Sequence, residues 1–220
     1  LSSDAVIITA AGSSERWADQ QKKEYAPLDG RPVLSRAVGP FLELTPTLQV
    51  VITLPRADIP MVRHLLQPQL DAGRIRFVAG GKSRQESVRL GLESLRKQPP
   101  HIVLIHDGAR PWIDRALIQS VLEGARKWGA CIPVVDANEA PKRIGPSGLI
   151  LEDLPREQYK LAQTPQGFLY RRILEAHRRA KANPRLFIDD AEVYAAYWSG
   201  VFTVSGDRMN RKITFKEDLP

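Results

Sequence analysis

The chain has 220 residues, 43% of them hydrophobic and 26% charged, which suits one full domain with at most a small appendage and excludes extended disorder or a collagen-like repeat. No apolar run approaches the roughly 18 residues that span a bilayer, the amino-terminal stretch lacks a basic signal region, and the single cysteine, Cys131, excludes an intrachain disulfide and Cys-rich zinc sites; a soluble, intracellular protein without a membrane partner is expected. Lysine and arginine (32) exceed aspartate and glutamate (25), giving a net charge of +7 that favours polyanionic ligands, but the basic residues are scattered among acidic ones instead of forming an aromatic-interleaved stripe, so nucleic acid is not the expected partner.

In chain order, Ala5 to Ala11 is a short run rich in β-branched residues, stopped by Gly12, and reads as a buried strand of a parallel sheet. Val50 to Leu54, Ile75 to Val78, Ile102 to Ile105 and Cys131 to Val135 repeat the pattern. Between them, helical faces are drawn by Met61, Val62, Leu65 and Leu66, by Val88, Leu92 and Leu95, and by Ile118, Val121, Leu122 and Ala125. Strand and helix alternate, which predicts one α/β domain over 1–220 with an open, mostly parallel, Rossmann-like sheet. Ligands of such sheets sit at the carboxyl ends of the strands.

Over 137–161 the apolar content falls and no helical face can be drawn. Gly145-Pro146-Ser147-Gly148 is a turn signal between Pro141–Ile144 and Leu149–Leu151, predicting an extended β-hairpin arm. Such an arm has little core of its own, and a second copy of the chain is its natural partner. Helices over Leu169 to Ala180 and Asp189 to Tyr197 follow, then a strand at Val201 to Val204 and a closing Lys212-Ile213-Thr214. There is no internal repeat.

The first strand runs into Ala10-Ala11-Gly12-Ser13-Ser14-Glu15-Arg16, where small residues let backbone N–H groups approach a polyphosphate and a guanidinium adds charge. The spacing is neither that of a Walker loop nor G-x-G-x-x-G, and an ordinary strand-to-helix turn reads the same way. With Lys22-Lys23-Glu24-Tyr25, however, it resembles the A-A-G-x-G/S-x-R and P-K-Q-Y segments of nucleotidyltransferases that release pyrophosphate. Gly80 to Val88, His106-Asp107-Gly108-Ala109-Arg110-Pro111, Thr164 to Phe168, and Asn210 to Thr214 with Glu217-Asp218-Leu219 extend the likeness. Together, from about Val6 to Leu219, they resemble the 2-C-methyl-D-erythritol 4-phosphate cytidylyltransferase family.

The resemblance implies a sheet of the nucleotidyltransferase type, homodimerisation through the arm, and transfer of CMP from CTP to a polyol phosphate with Mg²⁺ or another divalent cation. It implies a cytoplasmic setting, or a plastid stroma after loss of a transit peptide. Arg16, Lys23, Arg156 and Lys212 fall on the family's catalytic cations. Ala10, Ala11, Gly12 and Gly108 line the nucleotide, and Gly81 and Ser87 meet the cytosine. Asp107 matches the metal-contacting aspartate, and Asp107, Arg110, Arg156, Thr164 and Lys212 the substrate contacts, Arg156 reaching a neighbouring subunit.

Three positions depart from the family pattern. Asp136-Ala137 lacks the usual threonine and is followed by extra residues before Lys142, Ile188 replaces a threonine, and Lys82 stands where aspartate is common. These changes bear on the polyol pocket, which leaves ribitol 5-phosphate as an alternative acceptor and a non-catalytic nucleotide-binding module as a rival from another class. The chemistry itself needs charge control: a phosphomonoester is already largely dianionic at neutral pH, so direct in-line attack on the α-phosphorus needs cations on both partners and no general base. Because adjacent strand residues face opposite ways, Asp107 and not His106 is the expected metal contact. Asp189-Asp190 reads as a helix N-cap, Trp17 and Trp112 as packing beside the site, and His177 as a helix-face residue with no role.

Overall fold

The computed structural model describes residues 3–12, 17, 21–67 and 75–219; Arg16, with Ser13 to Glu15, lies outside them. The central strands are β1 (Ala5–Thr9), β4 (Gln49–Leu54), β5 (Ile75–Ala79), β6 (Ile102–Asp107), β7 (Ala130–Asp136), β10 (Lys160–Ala162), β11 (Gln166–Leu169) and β12 (Phe202–Ser205). They form one sheet in the order β10-β7-β11-β6-β1-β4-β5, with β12 added on β7. β5, β4, β1 and β6 are mutually parallel, and β12 is parallel to β7. A minor hairpin, β2 (Pro27–Leu28) with β3 (Arg31–Pro32), turns through Asp29 and Gly30, both with positive φ.

The sheet departs from simple alternation at β11, which the sequence pattern did not announce. It inserts antiparallel between β6 and β7, so the expected fifth strand does not sit beside the fourth. The closing Lys212-Ile213-Thr214 is not a strand. Ile213 is fully buried and its N–H donates to Ala109 O at 2.9 Å, which ties this segment to the loop after β6.

Side-chain alternation along the strands builds a core on each face. Val6, Ile8, Val50, Ile52 and Leu104 pack against α1 (Val33–Leu44), α2 (Ile59–Leu65) and α4 (Arg115–Trp128). Ala5, Ile7, Val51, Val103 and Ile105 pack against α3 (Arg84–Ser94), α5 (Tyr170–Ala180) and α6 (Asp190–Ala195). Each fully buried Val or Ile contributes about 1.5–3 kcal/mol, so the two faces rather than helix propensity hold the helices in place. Of the predicted helix faces, Val62 and Leu66 are buried, whereas Met61 is 45% exposed and points away. The starts of α3, α4 and α6 are capped by Ser83, Asp114 and Asp189, whose side chains accept from the N–H groups of Glu86, Leu117 and Glu192.

The arm is a hairpin of β8 (Lys142–Ile144) and β9 (Ile150–Asp153), with Gly148 at φ +84 in its turn. Its faces are exposed, including Ile144, Leu149, Ile150 and Leu151. Lys142 pairs with Asp153 and Arg143 with Glu152 across it. The expected boundary at 161 runs slightly long, because Lys160 and Leu161 already pair with Asp136 and Val135 of β7 in the main sheet.

Candidate active site

Three turns close on one another at the carboxyl edge of the sheet. Ala10 N donates to Thr53 O at 2.9 Å, Gly80 N to Leu54 O at 2.7 Å and Gly108 N to Thr9 O at 2.9 Å, so the ends of β1, β4, β5 and β6 are stitched together. The approach depends on missing side chains. A Cβ on Gly80 falls 2.4 Å from the Cβ of Ala11, and one on Gly108 falls 3.1 Å from Thr9 O and 3.3 Å from the Cβ of Ala10. Ala10 and Ala11 are therefore flanked by the two glycines.

Ser87 is buried at the start of α3. Its hydroxyl donates to Ser83 O at 2.8 Å and accepts from Gly81 N at 3.1 Å, which shapes the loop that carries Gly81. Lys22 donates to Gly12 O at 3.0 Å and lies 3.7 Å from Asp58, itself an acceptor from the Tyr25 hydroxyl at 2.8 Å. Lys23 is nearly buried and lies within electrostatic reach of Asp218, whose carboxyl is held low by the N–H groups of Phe215 and Thr214, with Arg211 and Lys23 adding to the effect. Trp17 is buried with Ala26, Leu28, Val33 and Ile213, and Trp112 packs on that cluster under the Arg211 guanidinium, 4.6 Å from its ring centre.

At the end of β6, Asp107 is gripped by cations from three directions. Its Oδ2 lies 2.9 Å from Lys212 Nζ and 3.5 Å from Arg110 Nε, while its Oδ1 accepts from Arg84 Nε at 3.3 Å and Thr9 Oγ1 at 3.4 Å. Burial pushes the carboxyl pKa up, but Lys212, Arg84 and Arg110 together hold it well below the usual carboxylate range, so Asp107 is ionised. Burial lowers the pKa of Arg110 more than Asp107 raises it, and Arg110 Nη1 donates to Asn210 O at 2.8 Å. The segment around Lys212 is thus anchored to the same centre by backbone and side chain.

His106 and Thr164 form the floor. The carbonyl of Arg110 can only accept, so the 3.2 Å contact with His106 Nε2 places the ring proton there. Nδ1 is then an acceptor for the Thr164 hydroxyl at 3.0 Å, and Thr164 Oγ1 in turn accepts from Asp107 N at 3.1 Å. Thr164, expected to meet substrate, fixes the backbone of Asp107. His106 is fully buried and turned away from the Asp107 carboxylate, as the strand alternation predicts.

Burial lowers the His106 pKa from 6.5 to about 4. The unfolded chain therefore takes up this proton first, and the stability the neutral ring supports is complete above pH 6.5 and lost as pH falls toward 4. Denaturant unfolding is expected to show a loss of about 3 kcal/mol between pH 7 and pH 4 from this group. A His106→Gln protein is expected to lose that slope, and an unchanged slope in it contradicts the assignment.

Two charged residues without an expected role at the site, Arg84 and Asp190, belong to the centre. Arg84, which lies within the Gly80 to Val88 segment, also reaches Asp190, 2.8 Å from its Nη1 to Oδ2. Asp189 is the helix cap, as expected, but Asp190 is a buried ion partner and not a cap, and His177 is buried with Nε2 3.1 Å from Asp190 Oδ1 instead of idle on a helix face. Arg156 stands apart. It lies in a groove of about 360 Å³ at the foot of the arm with Asp136, Asn138, Glu157, Lys160 and Arg208, and donates to Asn138 O at 3.4 Å.

Among the described residues no cluster of three or more His, Cys, Asp or Glu can hold a metal ion. The lone carboxylate of Asp107, flanked by three cations, does not make a protein-only metal site. A Mg²⁺ ion would have to arrive on a triphosphate and take Asp107 as its one protein carboxylate, a coordination this ion commonly accepts.

Comparison with known proteins identifies the family. Residues 5–220 match the family described as IspD: 2-C-methyl-D-erythritol 4-phosphate cytidylyltransferase. A protein of Chelativorans sp. (strain BNC1) named Bifunctional enzyme IspD/IspF is 40% identical over 222 residues, covering 98% of this chain and 53% of its own length. One of the same name from Rhodopseudomonas palustris (strain HaA2) is 40% identical over 218 residues, with the same 98% and 53% coverage. The chain thus spans about half the length of the curated relatives it matches. The solved 4-diphosphocytidyl-2C-methyl-D-erythritol synthase of Anaerococcus prevotii DSM 20548 superposes with a TM-score of 0.88 at 27% identity, covering 99% of this chain and 92% of that one. The 2-C-methyl-D-erythritol 4-phosphate cytidylyltransferase of Thermus thermophilus does so with 0.77 at 29%, covering 99% and 95%. With the match running from the first strand to the carboxyl end, the chain belongs to the 2-C-methyl-D-erythritol 4-phosphate cytidylyltransferase family.

Proposed function

We propose that this domain transfers CMP from CTP to 2-C-methyl-D-erythritol 4-phosphate, releasing pyrophosphate. The observation that carries the reading is the convergence of Lys212, Arg110 and Arg84 on Asp107, beside the three small-residue turns after β1, β5 and β6. Family membership over residues 5–220 supports it.

In this reading Ala10, Ala11, Gly12 and Gly108 present backbone to the triphosphate, and Arg16 and Lys23 neutralise it as charge develops. Gly81 meets the cytosine edge on a loop that Ser87 shapes. Lys212 and Arg110 orient the attacking phosphate, with Thr164 holding the Asp107 backbone beneath them. The acceptor is already dianionic, so these cations bring two anions into line without a base and without a covalent intermediate. A divalent cation bound with the nucleotide and facing Asp107 supplies further charge neutralisation at the phosphates.

The arm and Arg156 fit the same reading. Exposed Ile144, Leu149, Ile150 and Leu151 on a hairpin without a core suit docking on a second copy, and Arg156, in a groove lined by none of Asp107, Arg110 and Lys212, then serves the partner's site. One domain over 1–220, with the arm protruding from it and ending before Lys160, completes the assignment. A cytoplasmic setting is consistent with the described residues, where no helix is long and apolar enough to cross a membrane.

Pyrophosphate release from CTP in the presence of each polyol phosphate tests the function. Turnover is expected with 2-C-methyl-D-erythritol 4-phosphate. Preference for ribitol 5-phosphate overturns the acceptor assignment, and CTP binding without turnover on either acceptor overturns the activity.

A further inference from the structure

Arg84 carries a charge that the proposed chemistry has not yet used. Its planar guanidinium reaches two carboxylates at once, Nε to Asp107 Oδ1 at 3.3 Å and Nη1 to Asp190 Oδ2 at 2.8 Å. The Asp190 side chain is 1% exposed, and its other oxygen meets the buried His177 at 3.1 Å. Burial works against charge on Arg84, yet Asp190 and Asp107 hold its pKa above the ordinary value. Elements distant in sequence, α3, α5 and α6, are thereby tied to the end of β6.

The contacts of Asp107 are divided between its two oxygens. Oδ1 is held from inside the fold by Thr9 and Arg84, and Oδ2 by Lys212 and Arg110, the two cations assigned to the acceptor phosphate. The backbone of Asp107 is pinned by Thr164, which leaves rotation of the side chain as its main freedom. Arg84 is the group that opposes the pull of Lys212 and Arg110 on that rotation. Asp190 in turn has a fixed seat: Gln166 Nε2 donates to Asp189 Oδ2 at 2.8 Å, and Gln166 Oε1 accepts from Ala191 N at 3.0 Å, so the first turn of α6 is clamped to β11.

We propose that Arg84 and Asp190 are positioning residues for the acceptor end of the site. Asp190 holds Arg84, Arg84 holds Oδ1 of Asp107, and Oδ2 is left facing Lys212 and Arg110 where the polyol phosphate binds. The inference rests on the cytidylyl-transfer reading for the identity of that phosphate. Arginine is required because two nitrogens of one rigid fork address two carboxylates, which a single ammonium does not reproduce.

An Asp190→Asn substitution alone takes one of its two carboxylates from the half-buried Arg84 and the charged partner from the buried His177, so its loss of activity does not separate positioning from folding. The Arg84→Met/Asp190→Asn double variant does, because both members of the ion pair leave together. Its melting temperature is expected within about 3 °C of wild type. Its kcat/KM for 2-C-methyl-D-erythritol 4-phosphate is expected to stay roughly tenfold or more below wild type, with KM for CTP within about twofold. Acceptor kcat/KM at the wild-type level in the folded double variant, or an equal loss toward CTP, overturns the proposal. If the double variant does not fold, Arg84→Lys carries the same two readouts. A ligand-free crystal structure of the variant reads positioning without turnover: the Asp107 carboxylate is expected to rotate, and retention of its wild-type rotamer overturns the proposal. Absence of pyrophosphate release by the wild-type protein sinks the cytidylyltransferase reading instead, and the crystallographic comparison then decides the positioning alone.

Discussion

An Asp107→Asn protein is expected to lose roughly a thousandfold or more in kcat/KM for cytidylyl transfer, about 4 kcal/mol of transition-state stabilisation. The substitution preserves volume and removes one charge. That charge is the common partner of Lys212, Arg110 and Arg84, so its loss leaves three cations facing one nearly buried carboxamide. Like charges a few Å apart in such a setting repel by several kcal/mol, and the side chains separate. Folding suffers as well, by about 3–5 kcal/mol, because a buried ion cluster loses its centre. Pyrophosphate release and denaturant unfolding on the same preparation check both parts. Activity within twofold of wild type contradicts the placement of the reaction at the end of β6.

Mixing two inactive proteins, Arg156→Ala and Lys212→Ala, is expected to restore about a quarter of wild-type activity after subunit exchange. Lys212 touches Asp107 of its own chain, whereas Arg156 lies in a separate groove at the foot of the arm. If each site draws Lys212 from one subunit and Arg156 from the other, a hybrid dimer holds one intact site and one doubly defective one. Random exchange makes half of the dimers hybrids, hence the quarter. Each substitution alone is expected to cost about 100-fold or more by removing a cation from an anion-binding centre. No recovery on mixing, with dimers demonstrated by light scattering, contradicts a shared site.

The parallel half of the sheet is legible because β1, β4 and β6 are unbroken apolar runs buried on both faces, a pattern only a doubly covered sheet requires. Other elements are hidden for identifiable reasons. Gly39 and Pro40 interrupt the periodicity of Val33, Leu34, Ala37, Val38 and Phe41, so α1 does not stand out although all five of those residues are buried. β11 is four residues long, contains Gly167, and runs directly into α5, so its pairing with β6 is decided by tertiary packing and not by local pattern.

The site shows the same division. Asp107, Arg110, Thr164 and Lys212 come together as their motifs imply, since each follows a strand or docks on the loop after β6. The Arg84–Asp190–His177 connection is not legible, because it joins three helices whose approach exists only in the folded chain, and a charged residue in a sequence carries no sign of burial. Arg16 lies outside the described residues, and its role rests on the motif alone.

The most direct measurement of the central claim is a crystal structure of the protein with the CDP-alcohol product of CTP and 2-C-methyl-D-erythritol 4-phosphate. The diphosphate is expected at the carboxyl edge of the sheet, with the cytidylyl phosphate against the Ala10–Gly12 turn and the acceptor phosphate in contact with Lys212 and Arg110. A diphosphate bound elsewhere, with the Asp107 cluster closed as it is here, contradicts the claim that two polyanions are brought together at this centre.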